Sequence, residues 1–313
     1  MTTAAVDPGL LERGGVVLDV DGPRATIWLS RPEALNAQTP ATWEALRTIG
    51  EALSDEVRAV VVRGEGRAFS AGLDRRFFWA REVDGMPGIA GIAELPDGDA
   101  DAVIAGFQAG FSWLRHPARV TVAAVQGHAI GAGFQLALAC DLRVVADDVQ
   151  FCMAEATLGI VPDLGGTHPL VHAVGYARAV EICLTGRRVG AEEAVACGLA
   201  LRAVPVAELD AEVDALVSAL LAPPPGAGAE THALLARVAD GLDPAATLAA
   251  ERAAQLRRLR LARAKRGSQR RHRAAGPGGR RRGHRRRRPV PQREPHAVRG
   301  RMPPPPQLRP AAR

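Results

Sequence analysis

A short strand, a Gly-rich turn and a helix occur twice in this 313-residue chain. The first unit is residues 59–63, Ala-Val-Val-Val-Arg, leading through Gly64-Glu65-Gly66 into Ser70-Ala71-Gly72-Leu73-Asp74. The second is residues 120–125, leading through Gly127-His128-Ala129-Ile130-Gly131-Ala132-Gly133 into a helix that ends near Ala139. Apolar runs of this length between turn signals read as buried strands. The repeat therefore predicts an α/β fold with the two turns at corresponding edges of one sheet.

The remaining pattern fits that frame. Residues 16–20 and 24–29 are β-rich runs separated by Asp21-Gly22, a hairpin signal. Thr39 caps a helix that begins at Pro40 and reaches about Leu53. Residues 85–98 are rich in Gly, Pro and acids and read as a mobile loop. Residues 102–114 are helical, and 142–146 and 149–152 are strand-like. After Gly166 the pattern is mainly helical, over 177–184, 191–197, 209–221, 231–240 and 245–261. The expected organisation is a core over 10–200, a helical region over 201–263 and a tail over 264–313.

Charge supports separating the tail. Residues 264–313 hold 17 of the 40 Lys and Arg but one of the 34 acids, Glu294, so residues 1–263 are acidic although the whole chain is +6. The tail is Arg- and Pro-rich without an aromatic residue, and disorder is expected. Phosphate contacts by arginine are unspecific, and nothing here reads bases, so specific nucleic-acid binding is not expected. The abrupt change of composition at its start fits a frame change in GC-rich coding DNA better than a nucleic-acid function. Cys140, Cys152, Cys183 and Cys197 form no CxxC pair or metal pattern and read as reduced, buried thiols of a cytoplasmic protein. Residues 1–9 lack a secretory signal, and the apolar stretch 120–140 is too interrupted to span a membrane.

Chemistry concentrates on the two turns. A turn entering a helix leaves backbone N–H groups unpaired beside a partial positive charge. If the turns are neighbours, their N–H groups can converge on one oxygen and stabilise charge developing there, each worth about 3–4 kcal/mol. Either turn alone reads more simply as an ordinary strand–helix connection. Glu155, just past a strand, and Asp163, before Gly165-Gly166, are candidates for proton transfer beside an apolar pocket. His116, His128, His168 and His172 show no metal spacing. No metal site is expected.

Together these motifs resemble the crotonase superfamily, the enoyl-CoA hydratases and isomerases. The likeness rests on Arg31-Pro32-Glu33-Ala34-Leu35-Asn36-Ala37, Ala68-Phe69-Ser70-Ala71-Gly72-Leu73-Asp74, Val125-Gln126-Gly127 through Gly133, Cys140-Asp141 and Gly165-Gly166-Thr167, and covers about 10–263. It implies a spiral of ββα units with a C-terminal helical region that builds trimers, often paired into hexamers. It implies an acyl-CoA substrate and no separate cofactor. Leu73 and Ala132 would donate the oxyanion N–H groups. Leu35, Ala37 and Ala71 would line the CoA pocket, with Gly72, Asp74 and Gly131 also at the substrate.

The sequence departs from the hydratase pattern at one catalytic position. Hydratases carry two glutamates twenty residues apart; here the second is Glu155 and the first is Gln135. Glutamine can orient water but cannot take its proton. A lone glutamate with Asp163 resembles the isomerases, so double-bond isomerisation by Glu155 and Asp163 is the expected reaction. Hydration by Glu155 with a Gln135-positioned water is the alternative, and a non-catalytic acyl-CoA-binding protein is the third reading.

Overall fold

The computed structural model describes residues 6–83 and 85–274. Its first unit, residues 1–263, holds both Gly-rich turns. After α1 (Pro8–Gly14), strands β1 (Val16–Asp21) and β2 (Arg24–Leu29) form the expected antiparallel hairpin, with Gly22 at φ +53°. Helix α2 (Pro40–Ala52) starts where expected: Thr39 Oγ1 accepts from Thr42 N–H, and the Thr42 hydroxyl returns to Thr39 N–H.

Strand β3 (Ala59–Gly64) follows. After α3 (Arg76–Trp79) and the two-residue strand β4 (Glu82–Val83), the segment 85–98 expected to be a mobile loop instead holds the two-residue strand β5 (Met86–Pro87), α4 (Ile89–Ile92) and the start of α5 (Asp97–Ser112). Close packing explains the difference. Gly88 and Gly91 sit against backbone: a Cβ there would lie 2.2 Å from the Ala80 and 2.0 Å from the Arg81 carbonyl oxygen. The second unit runs β6 (Val120–Val125), β7 (His128–Ile130), α6 (Ala132–Ala139), β8 (Leu142–Ala146) and β9 (Gln150–Cys152). Helices α7 (Thr167–Val174), α8 (Tyr176–Thr185) and α9 (Ala191–Ala196) precede β10 (Arg202–Val204), α10 (Leu209–Leu221), α11 (Pro225–Ala239) and α12 (Pro244–Ala274).

The main sheet runs β1-β2-β3-β6-β8-β10, parallel from β2 onward. The period-2 geometry of a strand sends alternate residues to opposite faces. Val60 and Val62 thus join one core with α2 and α6, while Ala59 and Val61 join another with Leu209, Val213 and Val217 of α10. Both faces are covered, and the strands read as continuous apolar runs. β7 and β9 form a second, small parallel pair beside the site.

The two compact units of the chain divide between residues 263 and 264, where the tail was expected to begin. The sheet takes its last strand from residues 202–204, so a division at 200 cuts through the sheet. Helix α12 continues to Ala274, because the Ala-, Arg- and Leu-rich sequence has good helix propensity and meets no proline before Pro277. The rest of the expected disordered tail, 275–313, lies outside the described residues. Cys140 and Cys152 are buried, whereas Cys183 and Cys197 are only half-buried. Burial pushes the Cys140 thiol up to about 12.

Candidate active site

Main-chain hydrogen bonds draw the two Gly-rich turns together. Ser70 N–H donates to the His128 carbonyl at 2.8 Å, and Ile130 N–H donates to the Ser70 carbonyl at 3.0 Å. Gly72 makes the closest approach. Its φ is +88°, and a Cβ there would lie 2.6 Å from the Ile130 carbonyl oxygen and 3.6 Å from Ala132 N. Only glycine tolerates both the conformation and the crowding. On either side of Leu73, the Gly72 carbonyl accepts from Gln38 N–H and Asp74 N–H donates to the Gln38 carbonyl. Leu73 N–H itself has no acceptor among the described residues. Ala132 is the first residue of α6, where an N–H has no intrahelical partner, and Gly131 supplies no side-chain cap. Leu73 and Ala132 line one cavity of about 530 Å³. Two unpaired N–H groups on one wall suit an oxygen that gains negative charge.

Glu155 lines the same cavity and is 6% exposed. Its Oε1 accepts from Gln135 Nε2 at 2.7 Å, while the buried Oε2 has no partner. Burial raises the pKa of Glu155, and the Asp163 charge adds to that rise against the lowering by Gln135 and nearby backbone N–H groups. Asp163 also lines the cavity, and burial raises its pKa too. The two carboxyl groups therefore share an apolar wall, with their pKa values moved towards neutral pH.

Gln135 is hydrogen-bonded at both ends of its amide. Its Oε1 accepts from Leu164 N–H at 2.9 Å and Gly166 N–H at 3.2 Å. Its amide nitrogen gives one of its two N–H donors to Glu155. The side chain is 1% exposed, and a Cβ on Gly166 would lie 2.7 Å from its Cγ. Gln135 thus fixes the Glu155 carboxylate and ties down the segment bearing Asp163. The primary amide suits this position because it donates at one end and accepts at the other.

Of the expected substrate residues, Ala71, Gly72 and Gly131 line the cavity, with Leu73, Ala132, Gln135, Glu155 and Asp163. Leu35, Ala37 and Asp74 do not. The Leu35 carbonyl accepts from Ala71 N–H at 2.8 Å, which places Leu35 beside the first turn. The Ala37 carbonyl accepts from Arg31 Nη1. Asp74 is a strut: Arg31 and Arg76 pair with its carboxylate at 3.0 and 3.1 Å. Burial raises its pKa, but the hydrogen bonds from Arg76 and Arg31 outweigh that and hold it below the ordinary value. Among the described residues no histidine lines the cavity; His168 and His172 are exposed and 3.1 Å from each other, Nε2 to Nε2. Among the described residues no group of His, Cys, Asp or Glu comes together as a metal site. The sequence reading missed the aromatic wall formed by Trp43, Phe77, Phe78, Trp79 and Phe107. Its available signal was the run Phe77-Phe78-Trp79 in a chain only 4% aromatic.

The family model for enoyl-CoA hydratase/isomerase matches residues 24–270. The chain belongs to this family. A probable enoyl-CoA hydratase of Mycobacterium tuberculosis is 33% identical over 207 residues, covering 66% of this chain and 74% of the relative. The carnitinyl-CoA dehydratase of Escherichia coli K12 is 36% identical over 201 residues, 64% of this chain and 69% of the relative. Among solved structures, a Thermobifida fusca YX protein provisionally named an enoyl-CoA hydratase was determined in complex with CoA. It shares 49% identity at TM-score 0.78, covering 84% of this chain and 100% of that one. The same protein's complex with acetoacetyl-CoA gives 50% identity at TM-score 0.76, covering 80% and 97%. The protein is thus an enzyme of the enoyl-CoA hydratase/isomerase family that acts on CoA thioesters. Among the described residues no helix is long and apolar enough to cross a membrane.

Proposed function

We propose that this family member is an enoyl-CoA isomerase that moves a double bond with Glu155 as the proton carrier. The observation that carries the reading is the Glu155 carboxylate: it belongs to a residue lining the cavity, is buried, is fixed through one oxygen by Gln135, and has its other oxygen unpaired. The thioester oxygen sits between Leu73 N–H and Ala132 N–H. Glu155, ionised, takes a proton from the carbon next to the thioester carbonyl of a 3-enoyl-CoA. The electron pair moves onto the thioester oxygen, where the two N–H groups stabilise it. Return of a proton two carbons further along, from Glu155 or Asp163, gives the conjugated 2-enoyl-CoA. The reaction is redox-neutral and requires no cofactor beyond the CoA of the substrate. A raised pKa suits Glu155 to both halves of the transfer.

Hydration would need Gln135 to hold the attacking water. The amide oxygen already accepts from two backbone N–H groups and one of the two amide N–H donors serves Glu155, which leaves a single N–H on a 1% exposed side chain for water and argues against this alternative. Incubating the protein with 3-enoyl- and 2-enoyl-CoA tests the choice. Interconversion that disappears in Glu155→Gln is expected; rapid formation of 3-hydroxyacyl-CoA without interconversion would overturn the reading. Binding of CoA esters with no exchange of the α-proton into deuterated water would instead support the non-catalytic reading. A homotrimer or hexamer completes the proposal. Exposed leucines on the C-terminal helices, among them Leu235, Leu248 and Leu256, support self-association, which sedimentation measures.

A further inference from the structure

Aromatic residues are scarce in this chain, twelve in all, yet five of them line the cavity that holds Glu155. Trp43 comes from α2, Phe77, Phe78 and Trp79 from α3, and Phe107 from α5. Trp43 and Phe107 have ring centroids 4.7 Å apart at an interplanar angle of 59°, and Phe78 meets Trp79 edge-on at 4.7 Å and 69°. Trp43 Nε1 donates to Gln38 Oε1 at 2.8 Å, so its polar edge is already satisfied. Trp43 and Phe77 are almost fully buried and thus held in place, while Trp79 is 83% exposed. The lining includes one cation, Arg75, which is exposed.

We infer that the acyl group carries an aromatic ring at its end remote from the thioester. The inference rests on the reading that the thioester binds at Leu73 and Ala132. Tilted and edge-on ring pairs gain beyond the burial of area, and a further ring can join them where an alkyl chain cannot. A straight alkyl chain of equal size gains the burial alone and loses more rotational freedom when ordered.

The test compares binding of two saturated acyl-CoA esters with the same carbon count, one phenyl-terminated and one straight-chain, by calorimetry on the full chain. The phenyl ester is expected to bind about tenfold tighter. Phe78→Leu and Phe107→Leu should bring the ratio close to one, and so should Trp79→Leu, whose exposed ring cannot be essential to folding. Equal or tighter binding of the straight-chain ester overturns the inference. So does a ratio unchanged in all three variants, or failure of both esters to bind. The saturated esters do not react, which separates the two proposals. A tenfold ratio with no isomerisation of the corresponding 3-enoyl esters sinks the reaction and leaves the aromatic acyl group standing. Isomerisation without the ratio does the reverse.

Discussion

Replacing Gln135 with glutamate exchanges the amide NH2 for a carboxylate oxygen while keeping the shape. The 2.7 Å contact from Gln135 Nε2 to Glu155 Oε1 then becomes a contact between two carboxyl groups. At that separation and an effective dielectric of about 20, ionising both costs roughly 6 kcal/mol, several pH units' worth. The pair must therefore retain one proton at neutral pH. The structure says where it goes. Leu164 and Gly166 N–H groups point at the carbonyl end of residue 135 and favour a charged oxygen there. The proton accordingly settles on Glu155 and converts the base into an acid. Exchange of the α-proton in deuterated water should fall at least about tenfold at neutral pH, with its acid limb displaced upward by about two pH units or more. A carboxylate at 135 facing a protonated Glu155 is also a donor–acceptor pair for water, so hydration of 2-enoyl-CoA should appear where it was absent. Exchange measured across pH, beside product analysis by mass, reads both effects. An unaltered exchange rate and pH profile would refute the argument, because it would mean that Glu155 is not the base or that Gln135 does not hold it.

Glu155→Gln should abolish exchange yet raise Tm. Burial lifts the folded pKa of Glu155 above its unfolded value. The native state therefore loses stability as pH rises from the unfolded value through the folded one, and a neutral amide escapes that loss. Calorimetry at neutral pH, repeated at a pH below about 4, checks that the gain shrinks in acid. Gly72→Ala should cost about 2 kcal/mol or more in urea unfolding and lower kcat, because its Cβ meets the Ile130 oxygen and alanine disfavours φ +88°. His232 lies 3.3 Å from Asp141, and that hydrogen bond raises the His232 pKa. Its contribution is complete below the unfolded value of about 6.5 and vanishes as pH rises through the folded one. His232→Ala should thus destabilise the protein in mildly acidic buffer and little at pH about 9, as read from paired urea melts.

What the sequence makes legible is local. The Asp21-Gly22 hairpin, the Thr39–Pro40 helix start and the two Gly-rich turns each follow from bonds within a few residues, and all appear in the structure. Strand β10 is not legible in this way, since Arg202 and Ala203 are exposed and only Val204 is partly covered. Its place is decided by β8, whose Val144–Ala146 it pairs with. The same limit governs the site. Glu155 and Asp163 could be singled out as acids beside Gly-rich turns, but the partner that decides their chemistry acts over 20 to 31 residues of sequence, from Gln135 to Glu155 at one end and Gly166 at the other. A substitution of glutamate by glutamine reads, in sequence, as the loss of an acid. In space it is the gain of a donor aimed at the remaining carboxylate. Asp74 reverses in the opposite sense: an acid beside the oxyanion turn reads as a substrate group, but Arg31 and Arg76 occupy it. Residue type proposes a reaction, and the occupancy of each polar atom decides it. On that criterion Glu155, with its buried Oε2 unpartnered, lines one cavity with Leu73 and Ala132, and those groups bear on the proposed proton transfer.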